Sequence, residues 1–238
     1  MKYWITFGCA FVLSLGMCRT LLFRKKFPPG SILWGLFLML LPLLLPYRLI
    51  EKILLECGGG TGWVFLSNYS TNLVELLTLF IVLFLLKNQD AELFAHRQDV
   101  FHLSFFFGLH FGWGKALRDS LLAFFHHFST YYGYSQFMIF PSFFYLALKI
   151  MEVIFEAQVG ALLGIALFFP RVPSLQLPLL LFLLVFKGIP GFMETAIQFI
   201  PRFRFFSSLY PISLLPLTII LGFVVMQRLL QRKEEEKP

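Results

Sequence analysis

Charge is scarce in this chain: Asp, Glu, Lys and Arg together make up 14% of its 238 residues, and only 13 residues are acidic. That excludes an ordinary soluble domain, which needs a charged surface to cover its core. Cysteine is nearly absent too. Cys9, Cys18 and Cys57 are odd in number and contain no C-x-x-C pair, so they imply neither a disulfide framework nor a zinc site. No internal repeat is visible, and the terminal Lys-Glu-Glu-Glu-Lys run is the one low-complexity tract.

What fills the sequence is apolar. Hydrophobic residues make up 58% of it, with 32 Phe. Residues 205–227 contain no Asp, Glu, Lys or Arg, and 3–18 and 31–47 are similarly clean. A helix needs roughly 20 mostly apolar residues to cross a bilayer. Breaks at charged and Gly/Pro-rich stretches divide the chain into about seven spans, near 2–23, 31–50, 71–87, 100–124, 136–168, 175–200 and 206–228. The expected fold is an all-α, polytopic bundle over residues 1–238, a single seven-helix transmembrane domain. Lys2 before an apolar run resembles a signal peptide, but no convincing small-x-small cleavage site precedes Arg24, so this segment reads as a retained first span.

The net charge of +7 does not point to nucleic acid, because the basic residues lie at the ends of apolar runs. With the N-terminus outside, the inner segments hold Arg24, Lys25, Lys26, Lys87, Arg97, Arg171, Arg228, Arg232, Lys233 and Lys237, and the outer ones Lys2, Arg48, Lys52, Arg202 and Arg204. That bias of about two to one predicts a lumenal N-terminus and a cytosolic C-terminus. Asn68-Tyr69-Ser70 matches a glycosylation sequon on the outer side, although it abuts the third span, and ordinary polar sequence is the simpler reading.

Charges inside spans are costly and mark either structural pairs or function. Lys149, Glu152, Glu156, Gly160 and Gly164 share a stripe on the fifth span. Lys149 can pair with Glu152 locally, which leaves Glu156 in need of a partner. Lys187 and Glu194 share a face of the sixth span, around Gly188-Ile189-Pro190-Gly191. The expectation is a buried cross-helix pair between Glu156 and Lys187, weighed against neutralisation or snorkelling to an interface. Lys115 and Asp119 are expected to pair with each other, and Glu75 to sit at headgroup level. Gly108, Gly112 and Ala116 form a small-x-x-x-small face, which predicts close helix packing and a docking groove for a partner helix, against ordinary intramembrane glycine.

No catalytic, cofactor or metal residues are identified. There is no H-E-x-x-H, no pair of intramembrane Asp residues and no Ser with a matching His on another span. His102 and His110 are about two turns apart without a third ligand, and His126-His127 reads as interfacial.

Taken in order, these segments resemble the anterior-pharynx-defective (Aph) subunit of γ-secretase. Phe7-Gly8-Cys9-Ala10-Phe11-Val12 is similar to the family's Phe-Gly-Cys-Thr-Phe-Val opening. Val74-Glu75-Leu76, followed by Leu86-Lys87-Asn88-Gln89-Asp90-Ala91-Glu92-Leu93, resembles its Gln-Glu-Val and Lys-Lys-Ala-Asp-Glu-Gly-Leu. Gly108-Leu109-His110-Phe111-Gly112 is similar to its Gly-Leu-Ser-Phe-Gly, with Ala116 for the third glycine, and Ser207-Ser208-Leu209-Tyr210-Pro211-Ile212 resembles the start of its last span. The family's intramembrane His residues correspond to Glu156, with Gly160 four residues on, and to Lys187.

The resemblance implies a noncatalytic scaffold without cofactors in endoplasmic reticulum, Golgi and later secretory or plasma membranes. Its partners would be a presenilin-like catalytic subunit, a nicastrin-like subunit and a small presenilin-enhancer-type subunit, acting together on substrates such as Notch-type receptors. Two alternatives stand beside it. One is a glutamate-type intramembrane protease or its inactive relative, using Glu75, Glu152 or Glu156, with Phe111 and Lys115 in place of an F-x-x-x-E motif. The other is a small-solute transporter built around Lys187 and the broken sixth span.

Overall fold

A computed structural model describes residues 29–44, 61–128, 142–168, 178, 180–188, 219–220 and 222–223. Four α-helices dominate the described residues: α1 (Pro29–Leu44), α2 (Thr61–Gln89), α3 (Arg97–Phe128) and α4 (Ser142–Phe168). A 3-10 turn, Glu92–Phe94, lies between α2 and α3, and residues 180–188 form a further helical stretch, α5. No strand occurs among the described residues. The first expected span and Glu194 lie outside them, as do the linkers flanking the expected sixth span.

Among the described residues, two helical segments are long and apolar enough to cross a membrane, Asn72–Gln89 and Lys149–Phe168, and Gly30–Leu44 is a shorter apolar helix. α2 begins ten residues before the expected span start at 71, because helix formation does not require apolar residues. Its polar first third stays helical while the Ser70 hydroxyl donates to the carbonyl of Leu66 at 2.7 Å, and Thr78 does the same to Val74 at 2.8 Å. The helix stops at Asp90, whose carboxylate accepts the backbone N–H of Leu93. That local bond turns the chain into the 3-10 segment and on to α3, whose first turn carries Asp99 where the helix dipole favours an acid.

The helices alternate in direction. Gly164 of α4 lies against Val100 and Ser104 of α3, Gly160 against Ser104 and Gly108, and Val153 against Gly112, so the two run antiparallel. Gly35 of α1 lies against Phe106 and His110, and Gly114 of α3 against Met39 and Pro42, so α1 and α3 are parallel. At one end, the Trp34 indole N–H donates to Gln89 of α2 at 3.2 Å, and the Lys87 ammonium stands 5.0 Å from the Phe168 ring of α4. The start of α1, the end of α2, the start of α3 and the end of α4 therefore gather together.

The apolar core joins Leu79, Val82 and Leu83 of α2, Leu103, Phe107 and Phe111 of α3, Phe155, Val159 and Leu162 of α4, and Leu183 and Phe186 of α5. Ala116 belongs to a second cluster with Leu109, Trp113, Val153 and Ala157. The outward rows are also apolar: Leu33, Leu36 and Leu40 on α1, and Leu77, Ile81 and Phe84 on α2, are exposed.

Candidate functional site

Among the described residues the α3–α4 seam is packed at backbone range, and glycine makes this possible. A Cβ on Gly108 would strike the backbone carbonyl of Glu156, and one on Gly112 would lie 3.0 Å from the Cβ of Glu156 and from the Cα of Val153. On the facing helix, Gly160 is pressed against the Ser104 carbonyl and Gly164 against the Ser104 hydroxyl. Without side chains at these positions the backbones approach to a distance at which dispersion and weak Cα–H contacts act over the whole seam. The face of Gly108 and Gly112 is thus filled by α4 of the same chain. That corrects the expectation of a groove open to a partner helix: Gly160, Gly164 and Ala157 supply the complementary small face.

This seam sets the position of Glu156. Lys115 follows Gly108 and Gly112 at helical spacing on the same side of α3, so the backbone contact that brings Glu156 inward also carries it to Lys115. Lys115 Nζ donates to Glu156 Oε1 at 2.7 Å and to Glu75 Oε2 at 2.8 Å. From α5, Lys187 Nζ donates to Glu156 Oε2 at 2.5 Å and lies 3.1 Å from Glu75 Oε2. The four residues close a ring of alternating charge that links α2, α3, α4 and α5. Lys187 also stands 5.8 Å from the centre of the Phe111 ring, so its environment includes two carboxylates and an aromatic face.

The ring sits deep in the bundle. Glu75 is at the midpoint of α2 and Glu156 near that of α4. Glu75 and Lys187 are each 1% exposed and Glu156 4%. Lys115 differs, its side chain remaining 24% exposed. Removing four charges from water is costly, and the cost is offset only when opposite charges meet in good geometry. Here two acids and two bases cancel, and three charge-assisted hydrogen bonds with a fourth ion pair join them.

Two sequence expectations change accordingly. Glu75, expected near a span end, is buried against its neighbours, one turn inside the apolar segment Asn72–Gln89, where it faces Lys115 and Lys187. Lys115 reaches across helices to Glu75 and Glu156; the side chain of Asp119, its expected local partner, lies outside the described residues. The Glu156–Lys187 pair is one side of the ring. Lys149 and Glu152 form the local i,i+3 pair at 2.7 Å, apart from the ring and exposed on the Glu152 side.

One further polar tie is not legible in the sequence. Gln158, fully buried on α4, donates its amide to the carbonyl of Ile219 at 2.9 Å and fastens the last apolar run to the bundle. Its Oε1 faces Gly222, where a Cβ would lie 2.6 Å away. Among the described residues, no group of three or more His, Cys, Asp or Glu side chains could hold a metal ion.

The chain matches no protein-family model, no curated protein and no solved structure.

Proposed function

We propose that the chain is a noncatalytic scaffold subunit of an intramembrane aspartyl protease complex, of the anterior-pharynx-defective type. In this reading it crosses the membrane seven times, with a lumenal N-terminus and a cytosolic C-terminus, in endoplasmic reticulum, Golgi and later membranes. It holds a presenilin-like subunit, a nicastrin-like subunit and a small presenilin-enhancer-type subunit, which together cut membrane proteins such as Notch-type receptors.

The observation that carries the proposal is the closed charge ring. A carboxylate held by two ammonium groups is a weak base and a weak nucleophile, because the cations stabilise its ionised form. Glu75 and Glu156 each face two ammonium groups in a net-neutral site. Such a ring suits holding four helices in fixed register better than attacking a peptide bond or moving a solute. The alternating helix directions and the apolar outward rows of α1 and α2 suit consecutive spans facing lipid. The sequence resemblance supplies the identity of the complex.

Affinity purification of the full chain from native membranes tests this. A presenilin-like protein should co-purify, and the purified single chain should cleave no substrate. Cleavage by the chain alone would support the glutamate-type protease reading instead, and solute uptake after reconstitution the transporter reading.

A further inference from the structure

The order of the ring in space is the order of its residues in sequence. Glu75 meets Lys115, Lys115 meets Glu156, Glu156 meets Lys187, and Lys187 returns to Glu75. Acid and base therefore alternate along the chain, one on each successive helix from α2 to α5. Because the ring closes in chain order, this alternation is also what makes all four of its contacts attractive; two acids on α2 and α3 with two bases on α4 and α5 would be neutral but would set like charges together at two contacts.

The alternation matters while the chain is being made. Helices enter the membrane in order, and a lone charge within a span opposes its integration unless a partner arrives or water reaches it. We propose that the ring is assembled in chain order. Lys115 neutralises Glu75 when α3 joins α2, α4 then docks on α3 through the glycine seam and brings Glu156 to Lys115, and Lys187 closes the ring last, on Glu156 and Glu75. At no stage does the nascent bundle hold more than one uncompensated charge from this set. The packing fits that sequence of events. α2 and α3 share apolar side-chain packing and the Glu75–Lys115 pair but little backbone contact, whereas the extensive glycine seam can dock α4 on α3 as soon as α4 is present. The inference rests on reading these helices as membrane spans, and not on the identity of the complex.

Two double substitutions isolate chain order from the final contacts. In E75K/K115E the ring keeps two opposite-charge contacts and gains two like-charge contacts; E75K/K187E does the same, with the same net charge. They differ in order: the first still offers a base followed by an acid on α2 and α3, while the second accumulates two bases before any acid. Each full-length variant is translated into membranes with a glycan acceptor engineered between α3 and α4, and the ratio of native to misoriented chains is read from glycosylation. E75K/K115E should integrate like wild type, with E75K/K187E lower by about tenfold or more, as expected for an extra uncompensated intramembrane charge. The fourfold inversion E75K/K115E/E156K/K187E, which preserves alternation, should also integrate like wild type. Equal ratios for the two doubles, or the reverse ranking, would overturn assembly in chain order. Release of the wild-type chain by alkaline carbonate would overturn it together with the membrane reading.

Discussion

Gly112 of α3 and Glu156 of α4 meet at backbone range: a Cβ on Gly112 would lie 3.0 Å from that of Glu156. The seam between the helices and the charge ring beside it are therefore one construction. A side chain at the glycine moves the carboxylate, and an altered carboxylate loosens the seam.

Gly112→Leu should force α3 and α4 apart and pull Glu156 away from Lys115, costing about 1–3 kcal/mol for overpacking plus the weakened ion pairs. Gly108→Ala should already be damaging, because the new methyl would strike the Glu156 carbonyl. Gly30→Ala is the control, since nothing lies within 4 Å of the position; it should leave thermal stability within about 1 kcal/mol of wild type. Melting of the detergent-solubilised chain separates these outcomes, and equal losses at Gly30 and Gly112 would contradict the packing account.

Glu156→Gln removes one negative charge from a ring of two and leaves both lysines sharing Glu75. A loss of about 3–5 kcal/mol is expected, as for other broken buried pairs. The swap Glu156→Lys with Lys187→Glu should rescue only in part. It restores an opposite-charge pair between those two positions, but it sets the new ammonium against Lys115 and the new carboxylate against Glu75. Inverting all four charges should recover most of the stability. Stability equal to wild type in Glu156→Gln would show the ring to be idle.

The two lysines should not be equivalent. Lys187 is sealed under Phe111 and between two carboxylates, whereas Lys115 keeps a quarter of its side chain exposed. Water can take the place of the Lys115 ammonium more readily than that of Lys187. Lys187→Met is therefore expected to lower the melting temperature more than Lys115→Met, and the opposite order would contradict the burial argument.

Sequence periodicity exposes part of this arrangement, and its limits have physical causes. Apolar runs mark α1, α3 and α4, because a helix that buries or presents apolar side chains along its length must contain them. The start of α2 is not legible in this way, since polar residues such as Ser70 can remain helical by bonding back to the preceding turn. Glu156 and Lys187 can be paired from sequence because neither has a satisfactory local partner. Lys115 has one in Asp119, and local spacing is silent about a contact 41 residues away. A correcting signal is nevertheless present: Lys115 lies on the same face as Gly108 and Gly112, so whatever those glycines admit must come close to it. For the same reason the glycine pattern on α3 invites a partner from outside, until the matching small residues of α4 are placed opposite it.

Gln158→Leu should loosen the last apolar run without disturbing the ring. The substitution removes the buried bond to the Ile219 carbonyl, a loss of about 1 kcal/mol. Limited proteolysis should then cut nearer the C-terminus sooner than in wild type, while Glu156→Gln should speed cleavage throughout the bundle. Identical digestion patterns for the two variants would contradict the separate role given to Gln158.

The central claim is that a closed ring of charge, acting as a structural tie, holds the bundle. A double-mutant cycle over Glu156 and Lys187, measured by unfolding of the full chain in detergent, tests it most directly. Glu156→Gln and Lys187→Met should each be strongly destabilising, and the double variant should lose far less than their sum, giving a coupling of about 2 kcal/mol or more. Additive losses, with coupling near zero, would contradict the account.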